Sequence, residues 1–319
     1  FRISSSGQIL QYSVRHGGRG QEFAWDVALK HNGDACLTGW TTSPDYPDTG
    51  ANFTQSPAGA EAFVSCFTGA GVLSMATRIG GPQNDIGKAI AMISTSRLRP
   101  AAALGDEGGS TQTALDSSES ILIAGNTDSG RDFLQTSELT PGLTPSGADT
   151  FVTVLNQSDG TPTVQFSDVF EAPGEQDAWC VAADDQGKVT VAGASGDQIA
   201  IPGFDGYGIQ LNSGLTPLPG LARPPELLFS RQFDGFPVTT CQLRLSLGGD
   251  SHELLLFGKQ GGANLAYSLI LGQDPLVPLQ FEVSGFPNDS FLGPQGLIVG
   301  MSVDAAGALI QLAGFSHPG

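Results

Sequence analysis

Trp25-Asp26-Val27-Ala28-Leu29, a bend, and then Leu37-Thr38-Gly39 read as strand, turn, strand, with the second apolar run closed by glycine. The phrase returns four times: Ala89-Ile90-Ala91-Met92-Ile93 with Leu122-Ile123-Ala124-Gly125, Cys180-Val181-Ala182-Ala183 with Val191-Ala192-Gly193, Cys241-Gln242-Leu243-Arg244-Leu245 with Leu255-Leu256-Phe257-Gly258, and Met301-Ser302-Val303-Asp304 with Leu312-Ala313-Gly314. Internal repeats of this size identify the architecture before any single motif does. Each phrase has a second half in which apolar and polar residues alternate around a bend of Gly, Asn or Asp, the mark of a half-buried hairpin. Ala62-Phe63-Val64-Ser65-Cys66-Phe67 with 72–79 and Thr150-Phe151-Val152-Thr153-Val154-Leu155 with 162–170 are the clearest of these.

These halves add up to four-stranded units. The segment 1–16 has the form of an outer pair, and the chain closes soon after an inner pair at Gly314. Joining the two predicts an all-β propeller: one domain, 1–319, of five four-stranded blades, closed two strands plus two by the terminal segments. The blades run over 17–79, 80–170, 171–233, 234–284, and 285–319 plus 1–16. Closure of this kind removes the free edge that an open stack of sheets would leave. Glycine-rich joints, Gly17-Gly18-Arg19-Gly20-Gln21-Glu22 and Gly80-Gly81-Pro82-Gln83-Asn84-Asp85 above all, carry the chain from blade to blade. A long insertion at 97–119, rich in Ala, Gly, Ser and Asp, reads as a mobile surface loop.

Composition narrows the function. The net charge is −18, yet only 14% of the residues are charged and lysine is scarce. A phosphate backbone needs a basic partner, so nucleic acid is excluded as a ligand, and an anionic membrane surface with it. No apolar run is long enough to span a bilayer. At 39% hydrophobic residues the chain can bury a large core. The first residue is Phe1, which reads as a processed or trimmed product rather than an initiator end.

The four cysteines have no metal-type spacing. An antiparallel register sets Cys36 opposite Cys66, within reach of a disulfide, and Cys180 and Cys241 occupy similar places on neighbouring units. Four buried thiols are the alternative. Asn52, Asn156 and Asn288 each head an Asn-x-Ser/Thr sequon in an expected loop or turn. Disulfides and surface sequons belong to an extracellular setting.

The joints carry a resemblance. The stretch Gly80-Gly81-Pro82-Gln83-Asn84-Asp85-Ile86-Gly87-Lys88-Ala89-Ile90-Ala91 is similar to the opening of the SBBP repeat, a bacterial-type β-propeller repeat. So is Gly17-Gly18-Arg19-Gly20-Gln21-Glu22 through Asn32-Gly33-Asp34-Ala35-Cys36-Leu37-Thr38-Gly39-Trp40-Thr41. Thr42-Ser43-Pro44-Asp45-Tyr46-Pro47-Asp48-Thr49 resembles that repeat's aromatic-proline loop, and Glu61-Ala62-Phe63-Val64 its third strand. The first unit matches well, the second and third in part, the fourth and fifth faintly. The resemblance implies a propeller of secreted or cell-surface proteins, commonly without catalysis.

No residue pattern singles out a catalytic group. Asp48-Thr49-Gly50 and Asp128-Ser129-Gly130 lack the apolar strand that delivers an aspartic-protease carboxylate, and they read as repeated turns. The four histidines, His16, His31, His252 and His317, show no zinc spacing. Phased acidity stands out instead: Glu22, Asp85, Asp177, Asp234 and Asp289 each precede an expected innermost strand. At a channel mouth such acids are candidates for Ca²⁺, for sugar hydroxyls or for glycosidase chemistry. The competing reading makes each one a cap on its own glycine-rich turn. Trp40, Tyr46 and Phe53, with Phe133, Phe204 and Tyr207 in comparable loops, are candidates to stack on glycans or to pack between blades. The expectation is a non-enzymatic extracellular structural or adhesive module, as a subunit or domain of a cell-surface assembly or filament. Its partners are copies of itself, surface proteins or glycans. A carbohydrate-binding propeller is the alternative, and a glycosidase using channel carboxylates a weaker one.

Overall fold

The computed structural model describes residues 1–4, 6–54, 58–98, 115–136, 138–139, 147–158, 161–170, 174–183, 187–196, 205–212 and 225–233, and strand backbone at 238–245, 252–260, 263–270, 279–282, 289–292, 297–303 and 309–316. The side chains at 94–98, 115–118, 158, 205–206, 210, 212 and beyond 228 lie outside the description.

The chain is all-β. After β1 (Arg2–Ile3) and β2 (Leu10–Tyr12), the first sheet holds β3 (Glu22–Leu29), β4 (Ala35–Thr41), β5 (Phe53–Thr54), β6 (Glu61–Phe67) and β7 (Leu73–Gly80). The second holds β8 (Asp85–Leu98), β9 (Leu115–Thr127), β10 (Asp149–Ser158) and β11 (Thr161–Phe170), and the third β12 (Glu175–Ala183), β13 (Lys188–Gly196), β14 (Asp205–Asn212) and β15 (Glu226–Phe233). Next come β16 (Val238–Leu245), β17 (His252–Gln260), β18 (Ala263–Ile270) and β19 (Leu279–Glu282), then β20 (Asp289–Leu292), β21 (Leu297–Val303) and β22 (Leu309–Ser316). Sheets two to four are four-stranded antiparallel meanders in chain order. The first has the same meander, β3-β4-β6-β7, with the short β5 added parallel to β7 at its outer edge.

One device recurs in the inner hairpins. The register slips by one residue between Ala24 and Asp26, Gly87 and Ala89, Ala178 and Cys180, and Val238 and Thr240. The residue ahead of each bulge pairs with the glycine that closes the second strand: Gly39, Gly125, Gly193 and Gly258. In the first three, a Cβ on that glycine would overlap a backbone carbonyl oxygen, of Phe23, Ile86 and Asp177 respectively. Glycine recurs because the bulge pushes a carbonyl into the space a side chain would need.

The sheets pack face to face, and the first strand of each lies against the first strand of the next, from β3 through β8, β12 and β16 to β20. Asp26 ties the first such contact, because its Oδ2 accepts the Ile90 N–H of β8 at 2.9 Å. The period of two along each strand decides which neighbour a side chain meets. Ile121, Ile123, Phe151 and Leu155 turn toward sheet one, where they join Val64, Met75 and Ile79. Leu122, Ala124, Val152 and Val154 turn the other way and pack with Val189, Val191 and Ile209 of sheet three. A strand buried on both faces reads as an unbroken apolar run, as Ile121-Leu122-Ile123-Ala124 does. Cys36 and Cys66, paired across β4 and β6, form a disulfide inside the first of these clusters.

Three expectations meet a different arrangement. The terminal strands do not join two plus two: β1 pairs with β2 in a sheet of its own, and β20-β21-β22 form a three-stranded sheet. The terminal hairpin is held at the turns of sheet one, where Arg2 donates to the Gly33 carbonyl (3.3 Å) and the Tyr12 ring lies against Gly71. The strand beside β16 is β20, where Met301–Asp304 was the expected innermost segment. The 97–119 insertion begins as strand, since β8 and β9 stay paired out to Leu98 and Leu115; 99–114 lies outside the described residues.

A Gly125→Ala variant is expected to lose about 2–4 kcal/mol of stability, because the methyl meets backbone rather than a movable side chain. Denaturant unfolding measures this, and a loss within about 0.5 kcal/mol of zero would mean that the bulge relaxes freely.

Candidate functional site

The phased acids resolve into a repeated brace. Glu22 opens β3, and its carboxylate accepts the Gly18 N–H (3.2 Å), the Thr41 hydroxyl (3.0 Å) and the Ser43 hydroxyl. Asp85 opens β8 and accepts the Gly81 N–H (2.8 Å), the Ser129 hydroxyl (3.3 Å) and the Thr127 hydroxyl. In both units the serine N–H donates to the threonine hydroxyl at 2.9 Å, and the serine hydroxyl accepts a backbone N–H from the glycine turn. The motif is therefore Gly-Gly-x-x-x-Glu/Asp read together with Thr-x-Ser, and it is a turn brace. Burial opposes ionisation of Glu22, but the bonds from Ser43, Gly18 and Thr41 outweigh it and hold its pKa below the usual glutamate value.

In the third unit the bulge register puts Gln176, not Asp177, at the equivalent position, two residues ahead of Ala178. Gln176 Nε2 donates to the Gly174 carbonyl (2.9 Å), an amide version of the same brace. Asp177 faces the other side, 3.4 Å from Lys88 Nζ. Asp234 lies outside the described residues, as does the side chain of Asp289 at the start of β20. Glu22, Asp85 and Asp177 thus have separate partners, and among the described residues no three His, Cys, Asp or Glu side chains form a group that could hold a metal ion.

A second carboxyl meets Asp85. Glu61, first residue of β6, is buried, and no hydrogen bond reaches either of its carboxyl oxygens. It sits with Asp85 against Gly80, where a Cβ would overlap the Glu61 carboxyl and press on Asp85 Oδ2. The joint is fixed by backbone, since Asp85 N donates to the Ala60 carbonyl (2.8 Å) just as Gln176 N donates to Ala148 (2.7 Å) one sheet on. Burial first, then the negative charge of Asp85, pushes the Glu61 pKa up to about 8. Burial also raises Asp85, to about 6, against the pull of its hydrogen bonds.

The loop aromatics are inside. Tyr46 is 4% exposed, with its hydroxyl 2.7 Å from Ser65 Oγ and 3.1 Å from His16 Nε2. Burial lowers the His16 pKa and raises that of Tyr46. Phe53 packs on the core between sheets one and two, and Phe133 and Tyr207 are buried in the two core clusters; Phe204 lies outside the described residues. Trp40 stacks on Phe23, ring centroids 6.4 Å apart. Asp48 belongs to an ion pair with Arg78 (2.6 Å), and Ser129 to the brace, so both Asp-x-Gly triplets are turns. Asn52 Oδ1 accepts from the Thr54 N–H and hydroxyl, while Asn156 lies in strand β10 instead of a loop, and Asn288 lies outside the described residues. Cys180 is also disulfide-bonded; the Cys241 side chain is outside the description.

The residues that the first three of these bulges leave without a cross-strand partner are Trp25, Lys88 and Trp179, and they converge. Lys88 Nζ lies 4.3 Å from the Trp25 ring centroid and 4.6 Å from that of Trp179. The two indoles meet edge to face at 6.3 Å, and Phe23 leans on Trp25 at 4.9 Å. Trp25 and Trp179 stand at the same distance ahead of Gly39 and Gly193, whereas the insertion in unit two separates Lys88 from Gly125, so the equivalence of all three is readable only once the bulges are aligned. No protein-family model matches this chain, and no curated protein is similar to it.

The Glu61–Asp85 pair makes stability depend on pH. Between the unfolded value of 4.5 and the folded value of about 8, the native state holds a proton that the unfolded chain has released. Stability therefore falls as pH rises through that window, with a slope approaching about 1.4 kcal/mol per pH unit. Glu61→Gln is expected to flatten the slope and to raise the denaturation midpoint at pH 8, as read by thermal unfolding from pH 5 to 9; an unchanged slope would remove Glu61 as its cause.

Proposed function

We propose that this chain is a five-sheet β-propeller of the SBBP-like kind, working outside the cell as a structural or adhesive module within a surface assembly. The observation that carries the reading is the commitment of the acidic residues. Glu22 and Asp85 are spent on bracing the joints, and Asp177 is paired with Lys88, so the groups best suited to chemistry hold the scaffold. The succession of first strands, each packed on the next, supports the ring. So does the open face of sheet one. Val27 and Leu29 stand exposed there, beside a hollow of about 310 Å³ lined by Tyr12, His16, Leu37 and Phe67, which is where a last sheet would close. The Cys36–Cys66 disulfide suits an oxidising compartment. No helix among the described residues is long and apolar enough to cross a membrane.

A second reading, recognition of sugars, is favoured by the exposed indoles of Trp25 and Trp179.

Förster transfer between dyes on the first and last residues is expected to be high, because ring closure brings the ends of the chain together; low transfer sinks the ring. Beads coated with the purified protein are expected to adhere to the surface of the cells that produce it. Retention no greater than that of albumin-coated beads would overturn the adhesive reading.

A further inference from the structure

The bulge residues of three successive sheets bring half-exposed aromatic rings together over a buried lysine–carboxylate pair, which forms a polar floor. Phe23, Trp25 and Trp179 are 49%, 42% and 37% exposed, and Trp40 extends the aromatic row through Phe23. Half-exposed aromatic rings gathered in one place mark an interaction site more often than chance, because water gains from having them covered. A bulge is the usual means of re-aiming a side chain toward such a site.

The floor is the second observation. Lys88 and Asp177 have side chains only 9% exposed, and they face each other at 3.4 Å. The contact of that pair is the long one from Lys88 Nζ to Asp177 Oδ1, and it does not make a hydrogen bond to the buried oxygen. A buried carboxylate oxygen held only by a stretched ion pair is under-satisfied, and a bound hydroxyl would supply the hydrogen bond it lacks.

We infer that Trp25, Trp179, Lys88 and Asp177 form a binding site for a neutral sugar ring. The site rests on the sugar-binding reading of the protein and not on the adhesive one. The charges exclude other small ligands. A second cation between the indoles would be repelled by Lys88, whose charge Asp177 already matches. An anion would meet Asp177 in a chain of net charge −18. The lysine and the carboxylate cancel, leaving a floor that is polar and uncharged overall. Adjacent ring hydroxyls answer that floor, since each both donates and accepts: one donates to Asp177 Oδ1 and its neighbour accepts from Lys88 Nζ. The C–H face of the same ring lies against an indole. The site uses sheets one to three alone and does not depend on ring closure.

The test is an array of neutral oligosaccharides of glucose, mannose, galactose and N-acetylglucosamine, printed beside sialylated and sulfated glycans. The three tryptophans of the chain all belong to this aromatic row, so intrinsic fluorescence reports on it directly. Binding to neutral glycans is expected, with a fluorescence change on titration of the same sugar. Trp25→Ala, Trp179→Ala and Asp177→Asn are each expected to weaken it about ten-fold or more, with unchanged circular dichroism, while Val72→Ser, on a distant turn, binds as the parent does. Asp177→Asn keeps shape and volume, so its loss of binding separates a lost contact from misfolding. Neutral-glycan binding that survives both tryptophan variants overturns this site and leaves the sugar-binding reading standing. Binding confined to the acidic glycans overturns the neutral floor. No binding across the array overturns the site and the sugar-binding reading together.

Discussion

The carbonyl tucked against a glycine at the start of each inner hairpin sets the geometry of this protein. The bulge twists the first strand and swings it toward its neighbour, and only glycine admits the displaced carbonyl. Because the same residue is displaced in successive sheets, successive first strands lie alongside one another and their inserted side chains come together. The aromatic–lysine cluster is thus a by-product of the device that positions the sheets: Trp25, Lys88 and Trp179 are neighbours because they hold one position in three copies of a bend.

The acidic balance has a related explanation. Glu22 and Asp85 sit where backbone N–H groups of a glycine turn have no strand partner, and a carboxylate answers such groups more strongly than a neutral side chain does. The same location buries Glu61 beside Asp85, so burial first, and then the neighbouring charge, keep a second carboxyl protonated well above its ordinary range. Sheet three avoids that conflict by placing Gln176 opposite the start of β10.

Much of this was legible beforehand, for physical reasons. Strand character, the antiparallel pairing of β4 with β6 and the Cys36–Cys66 bridge follow from alternation and from counting outward from a turn, and the local chain carries that information. The apolar run Ile121–Ala124 announces burial on two faces, although nothing in it says which neighbour each residue meets. Looking for an acid ahead of each apolar run chose Asp177 over its neighbour Gln176, because the third unit carries an amide at the equivalent position and the bulge that fixes the alignment has no sign in a one-dimensional pattern. Tyr46 looks like an exposed loop aromatic until Ser65 and His16, nineteen and thirty residues away, supply partners for its hydroxyl. The arrangement of the terminal strands depends on long-range pairing that no local stretch encodes: β1 and β2 follow the turns of sheet one, and the last sheet adds β20 as a third strand.

The Cys36–Cys66 bond joins two adjacent strands across a sequence separation of 30 residues, and this bears on how the protein would answer a pull. A chain segment of that length stretches to about 100 Å once freed from its sheet. With the bond intact that length cannot be paid out, and a force applied along the chain passes directly from β4 to β6. Sheet one would then behave as a clip of limited extensibility, and the disulfide at Cys180 of sheet three sets a second limit further along the chain.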